Sequence, residues 1–421
     1  MAHFKYPEQI YSAAYVLKWM ALGVAVAALA GSASALFLFL LDVVTRYREV
    51  HEWIIYFLPI AGFIVGWVYL HFGKNIEAGN NLLIDEIHDP KNIVPLRLAP
   101  LILVSTITSH LFGASVGREG TAVQMGGALA DQITRLLHLK QGDRRILMMA
   151  GMSAGFSSVF GTPMAGAIFG LEVLFIGRMR YDAIFPCFFA AIIADQVGML
   201  CGIHHATYLV KSIPALSLPG LMATLVAGAI FGIVGMLFAR TTHQIASALK
   251  KHISYAPLRP LIGGILIVAG IALLGTQRYV GLGIPIIQEA FAQPLPLSDC
   301  IGKMIFTIIS LGSGFKGGEV TPLFYIGATL GNALAPILHM PFSMLAALGF
   351  VAVFAGAANT PIASTMMAIE LFTPSLGPFA AIACIGSYLF SGHVGIYRAQ
   401  KTGDTKPHSN HDTHQSESSS K

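Results

Sequence analysis

Apolar residues run almost unbroken through 19–42, 54–72, 98–113, 217–239, 258–275 and 340–357. A helix needs about 20 such residues to cross about 30 Å of hydrocarbon, so each run predicts a membrane-spanning helix. A second set of segments, 79–88, 119–130, 161–176, 282–290 and 319–334, is apolar but punctured by Gly, Pro, Asn or Glu. Broken backbone at membrane depth is tolerated where protein shields it or where it lines a polar cavity. These segments therefore predict half-helices around an internal site. The first run passes through "GSASA" into "LFLFLLDVV", longer than the roughly 7–15 apolar residues of a cleaved leader, and reads as a retained span.

Composition agrees with that pattern: charged residues are 11% and hydrophobic residues 55% of 421, against roughly 25% charged in a soluble domain. The chain is predicted to be an all-α integral membrane protein. Its net charge of +5 includes pairs such as Arg144 and Arg145, or Lys250 and Lys251, expected as headgroup contacts and topology signals; nucleic acid is not indicated. Cys187, Cys201, Cys300 and Cys384 show no pairing or metal-ligand spacing and read as small buried hydrophobes. No cofactor or metal is expected. The 44 glycines suit close helix packing rather than nucleotide loops. No GxxxxGK[ST] or HExxH occurs, and an enzyme is not expected. Residues 1–14 read as a cytoplasmic lead-in. Residues 399–421 are expected to be a disordered polar tail, since "KTGDTKPHSNHDTHQSESSSK" from Lys401 on offers nothing apolar to bury, and its His408, His411 and His414 imply at most adventitious metal binding.

Two short patterns recur 200 residues apart: "GREGT" at 117–121 and "GGEVT" at 317–321. A second pair follows at an offset of 198, with Pro163 against Pro361 and Glu172 against Glu370. The membrane region, 15–398, thus divides into two repeats, roughly 15–215 and 216–398. Internal repeats of this kind place a substrate site where the halves meet, with helix N-termini aimed at the ligand. Each pattern supplies glycines, a glutamate and a threonine at the start of an apolar helix. The free N–H groups and positive dipole end of such a start favour an anion. Two readings of Glu119 and Glu319 stand open: acids that simply favour the first turn of a helix, or functional carboxylates, since an ionisable group in an apolar segment costs about 2.5–3.5 kcal/mol. Arg118 competes as a partner for Glu119, although neighbouring side chains on a helix diverge. Glu172 and Glu370 sit late in their runs and read as acceptors for neighbouring helix ends.

At these residues the sequence resembles the CLC family of chloride channels and anion/proton antiporters, from about residue 15 to 398. "GREGT" followed by "QMGG" is similar to the family's GREGP segment, "GFSSVFGTPMAGAIFGLE" to its G-x-x-x-x-F-x-x-P-x-x-x-x-x-F-x-x-E stretch, and "GGEVTPLFYIGATLG" to its GGxFxP helix start. "GHVGIY" resembles the segment with the anion-contacting tyrosine, here Tyr397. The resemblance implies a CLC-type bundle of full and broken helices in two inverted repeats, with Glu119 as the gating glutamate. "GNNLL" at 79–83 stands where chloride transporters have GSGIP, placing Asn80 at their serine. Thr121 replaces the proline of GREGP, Glu319 and Val320 depart from GGxFxP, and Arg178 falls near the antiporters' inner proton-transfer glutamate.

These departures resemble the bacterial fluoride-exporting branch. It implies a homodimer in the inner (plasma) membrane that exchanges cytoplasmic fluoride for inward protons, with no cystathionine-synthase-type regulatory domain. A chloride-selective antiporter or a passive anion channel is the alternative. Asn80, Asn81, Gly120, Thr121, Val320, Thr321 and Tyr397 are then the candidate anion-binding residues, and Glu119 and Glu319 the gating and proton-transfer residues. Fluoride, a strongly hydrated acceptor, needs donors of this kind in exchange for water. Other readings also stand: Asn80 and Asn81 as helix caps, Thr321 bonded to its own helix, and Tyr397 as an interface anchor.

Overall fold

The computed structural model describes residues 8–407. Expectations that fall on residues 1–7 and 408–421, including His408, His411 and His414, lie outside the described residues. The described chain forms sixteen α-helices. The first half comprises α1 (Glu8–Val50), α2 (Leu58–Phe72), α3 (Asn80–His88), α4 (Leu98–Leu111), α5 (Glu119–Leu136), α6 (Gln141–Phe160), α7 (Pro163–Glu172) and α8 (Ile184–Leu200). The second comprises α9 (Leu218–His252), α10 (Leu258–Leu274), α11 (Ile284–Ala292), α12 (Leu297–Ser313), α13 (Val320–Leu338), α14 (Phe342–Ala358), α15 (Pro361–Leu371) and α16 (Gly377–Phe390). All eleven segments expected from the hydrophobic pattern are helical; α6, α8, α12, α15 and α16 are additional, their apolar runs interrupted by serines, glycines or single charges.

Helix length sorts the elements. At 1.5 Å per residue, α1 with 43 residues and α9 with 35 run about 65 and 52 Å, longer than the hydrocarbon is thick. In contrast α3, α7, α11 and α15 have 9, 10, 9 and 11 residues and reach only about half-way across.

The same stop-and-restart device serves both halves. Helix α6 ends on Gly161 at φ 71°, Thr162 follows, and Pro163 opens α7; α14 ends on Asn359 at φ 56°, Thr360 follows, and Pro361 opens α15. A left-handed residue closes the first helix, and proline at the next helix's first position loses no needed donor. The two short helices then satisfy one another. Glu172 accepts the N–H groups of Ile362 and Ala363 at 3.0 and 2.8 Å, while Glu370 accepts those of Met164 and Ala165, both at 2.8 Å. Each carboxylate takes orphan donors at the other helix's N-terminus, the role expected of both.

Glycine sets the packing behind each half-helix pair. A Cβ on Gly126 would lie 2.2 Å from the carbonyl oxygen of Gly151, and one on Gly327 would lie 2.0 Å from that of Gly349. Helices α5 and α6, and α13 and α14, therefore touch backbone to backbone, as small residues allow in membrane bundles.

Four expectations are corrected. Arg144 is no headgroup contact: it is buried, bonds Asp131 at 2.7 Å and Glu86 at 3.2 Å, and ties α3, α5 and α6 together. Cys201, at the end of α8, is exposed, whereas the other three cysteines are buried. The helix start at Glu8 draws residues 8–14 into α1. The tail expected from 399 is ordered as far as 407. Its Lys401–Thr402 strand (β2) pairs in parallel with Phe175–Ile176 (β1), and Arg178 grips Asp404 through Nε and Nη2 at 3.0 and 3.1 Å. Lys406 is buried, donating to Asn359 Oδ1 at 2.7 Å, to Tyr388 O at 2.6 Å, to Ser391 Oγ at 3.1 Å and to Gly392 O. The strap holds by the Lys406 cation at the carbonyl-rich end of α16 and by N–H donors from Lys401, Gly403 and Asp404 to the carbonyls of Leu174 and Ile176.

Candidate functional site

The two glycine-rich patterns meet. Gly117 N–H donates to Gly318 O at 2.6 Å and Gly318 N–H returns to Gly117 O at 2.7 Å, an antiparallel bridge between the loops that enter α5 and α13. Gly318 carries no side chain because a Cβ there would sit 2.7 Å from Gly120 N. The bridge brings two positive helix starts to one point inside the bundle.

Glu119 opens α5 and is fully buried. Its carboxylate reaches across to α13: Oε2 accepts Thr321 N–H at 3.0 Å, and Oε1 accepts the Thr321 hydroxyl. Oε2 also accepts the Arg118 N–H at 3.2 Å, and Arg118 Nε lies 3.4 Å from Oε1. Arg118 caps the helix from outside it, so its side chain is free to turn back toward its neighbour, contrary to the divergence expected within a helix. The carboxylate thus fills the donor set that an anion at this helix start would use.

Of the other candidates, Thr321 gives both its donors to Glu119, and Val320 is its buried apolar neighbour in the first turn of α13. Asn80, at the start of α3, is buried, its Oδ1 has no partner, and its Nδ2 lies 3.1 Å from where a Cβ on Gly120 would be. Gly120 is therefore the clearance that lets Asn80 approach α5. Tyr397 is buried and packs against Phe169 with the rings tilted by 65°, centroids 6.2 Å apart. Glu319 stands at the N-cap position of α13, is half-buried, and among the described residues its side chain bonds no other residue.

Two candidates serve elsewhere. The Thr121 hydroxyl bonds Thr106 Oγ1 at 2.7 Å, joining α5 to α4, and Asn81 Oδ1 accepts Ala399 N–H at 3.0 Å, anchoring the strap. One turn of helix points successive side chains in different directions, so the neighbour of a site residue often faces away. Arg178, half of the exposed pair with Asp404, belongs to the strap and not to a buried proton path.

Sequence reasoning missed the surroundings of the gate. Glu119 lines a cavity of about 20 Å³ with Arg118, His205, Tyr208, Thr321 and Phe324, room for about one water molecule. It adjoins a cavity of about 370 Å³ that shares Arg118, His205 and Ile284 and is lined further by His204. The adjacent His204 and His205 in a long helix-free segment were the available signal. Aromatic rings fill the space beyond: Phe324 stacks on Phe350 at 3.9 Å, and Phe156 stacks on Phe169 at 4.4 Å.

Helices α5 and α13, one from each half, whose N-termini converge on a buried site amid paired half-helices, define a membrane transport protein of the broken-helix class. The sequence profile of the voltage gated chloride channel family matches residues 61–392, and the chain belongs to that family, the CLC proteins. It is 60% identical, over 97% of its length and 92% of the relative's, to a chloride/fluoride channel protein of Pseudomonas syringae pv. tomato. Its fold matches the crystal structure of a CLC-type fluoride/proton antiporter with a TM-score of 0.89 and 35% identity, covering 92% of this chain and 98% of that one. A slow cyanobacterial Cl⁻/H⁺ antiporter shares the fold at TM-score 0.79 and 19% identity, covering 90% and 96%.

Proposed function

We propose that this protein exports fluoride across a bacterial inner membrane in exchange for inward protons, with Glu119 as both gate and proton carrier. The observation that carries the reading is the seat of the Glu119 carboxylate on Thr321, at the start of α13. Ionised, it competes with an anion for those donors; protonated, it loses one acceptor oxygen and its charge, and an anion takes its place. Anion and proton therefore alternate.

Fluoride selectivity is assigned to Asn80 and Glu319. Asn80 presents an amide beside the helix starts, and Glu319, unbonded to its neighbours, handles the proton on the second repeat or beside the fluoride itself. The relative named a chloride/fluoride channel protein and the fluoride/proton antiporter of the same fold support this branch. The first of these also favours a second reading, a passive channel. A homodimer with one pathway per subunit belongs to the proposal. Efflux from proteoliposomes, recording fluoride, chloride and pH together, tests it: fluoride release coupled to proton uptake supports exchange, fluoride release without proton movement supports a channel, and equal fluoride and chloride rates remove the branch assignment.

A further inference from the structure

A cavity of about 450 Å³ lies between α2, α9, α10 and the end of α12, remote from the Glu119 gate. Its lining carries four cations, Lys74, Lys250, Arg259 and Lys316, and one acid, Glu77. Among the described residues none of the four makes a salt bridge. Arg259 is braced by the carbonyls of Ile253 and Ser254 at 3.0 and 3.5 Å. Among the described residues the ammonium of Lys316 makes no hydrogen bond, and it rests 4.1 Å over the ring of Tyr69. Small residues, Gly66, Gly312, Ser313 and Gly314 among them, line part of the wall, and a Cβ on Gly314 would meet nothing within 4 Å. A volume in the small-molecule range, ringed by unpaired ammonium groups at the basic end of a spanning helix, fits a phosphate-bearing group. Lys250, Lys251 and His252 close α9 at this level, the face that the positive-inside pattern makes cytoplasmic.

From this arrangement we infer that the cavity is a binding site for a negatively charged phosphate group at the cytoplasmic face, either the headgroup of an anionic phospholipid or a soluble phosphate. Phosphate oxygens accept from Lys74, Lys250 and Lys316, and Arg259 supplies a braced positive charge. Lys316 also stands three residues before Glu319, between Gly314 at φ 104° and Gly317 at φ 155°, in the loop that delivers Glu319 to the gate. An occupant that holds Lys316 steadies that loop. This consequence rests on the reading of Glu319 as a proton-handling group; the binding site does not.

Native mass spectrometry of the purified protein tests binding, with dioctanoyl phosphatidylglycerol, dioctanoyl phosphatidylcholine and inorganic phosphate as probes. Phosphatidylglycerol is expected to be retained in preference to phosphatidylcholine. Lys250→Met and Lys316→Met should each weaken that retention about fivefold. Lys251→Met, one residue along α9 but outside the cavity lining, should leave it unchanged. Displacement of the lipid by millimolar inorganic phosphate assigns the site to a soluble phosphate, and persistence of the lipid assigns it to a headgroup. Equal retention of the two lipids with no phosphate adduct, or equal losses in Lys251→Met and Lys316→Met, overturns the site. In proteoliposomes, Lys316→Met should remove any dependence of proton-coupled flux on phosphatidylglycerol content. Flux that ignores lipid charge in wild type, with binding intact, overturns the link to Glu319 alone.

Discussion

Glu119 and Thr321 lie 202 residues apart, yet the carboxylate of the first accepts both the backbone N–H, at 3.0 Å, and the hydroxyl of the second. The bond crosses from one repeat to the other. It is made possible by the glycine bridge behind it, which sets the starts of α5 and α13 against each other.

Replacing Glu119 by Gln keeps size and one acceptor oxygen but removes ionisation. Fluoride-driven proton uptake into liposomes should fall to the protein-free background. Tightly coupled proton movement in this variant would take Glu119 out of the mechanism.

Thr321→Val keeps the backbone N–H and the side-chain volume and loses the hydroxyl. A hydrogen bond to a charged group contributes about 1.5–3 kcal/mol, so fluoride affinity should drop about tenfold or more. Thr321→Ser, which restores the donor, should recover most of it; the two variants behaving alike in a concentration series of fluoride flux would leave the hydroxyl with no part in binding.

Asn80→Ser exchanges a buried amide beside Gly120 for a shorter hydroxyl while the helix starts stay in place. The ratio of fluoride to chloride flux should fall by about tenfold, roughly the worth of one well-placed donor. An unchanged ratio would leave Asn80 with no part in selectivity.

The reciprocal carboxylates predict an asymmetry in stability. Glu172 is 5% exposed, whereas Glu370 is half-buried. Removing either leaves two helix-start N–H groups without acceptors, at about 1–3 kcal/mol for buried ones. Thermal unfolding in detergent should show Glu172→Ala more destabilised than Glu370→Ala, with Glu172→Gln between it and wild type. Flux per folded molecule should change little in Glu370→Ala; a specific loss of transport there would give that residue a second role.

Lys406→Met retains the aliphatic stem over Tyr388 and loses the ammonium that bonds four oxygens around the end of α16. Opening of the strap should become at least about tenfold more frequent, read as faster tryptic cleavage after Lys401. Cleavage at the wild-type rate would mean that β2 and the Arg178–Asp404 pair hold the strap without it.

The amino-acid sequence by itself determined the membrane class, the mixture of full and half helices, and the 200-residue correspondence between the two glutamate patterns, because hydrophobic length and local helix signals act over a few turns of chain. It also marked Glu172 and Glu370 as acceptors for helix ends, since a carboxylate late in an apolar run needs donors. What only the tertiary structure decided is partnership. Nothing near Glu119 in the sequence names Thr321, and nothing near Glu172 names Ile362 or Ala363; these pairs arise when the halves dock. Residues with the same local credentials were then parted by direction: Asn80 faces the helix starts while its neighbour Asn81 holds Ala399, and Thr321 binds the carboxylate while its counterpart Thr121 binds Thr106. The strap at 399–407 was illegible for a related reason. A hydrophobicity pattern counts what a segment can bury, whereas this one is held by a lysine that finds unsatisfied carbonyls at a helix end, and those carbonyls exist only once α16 has folded.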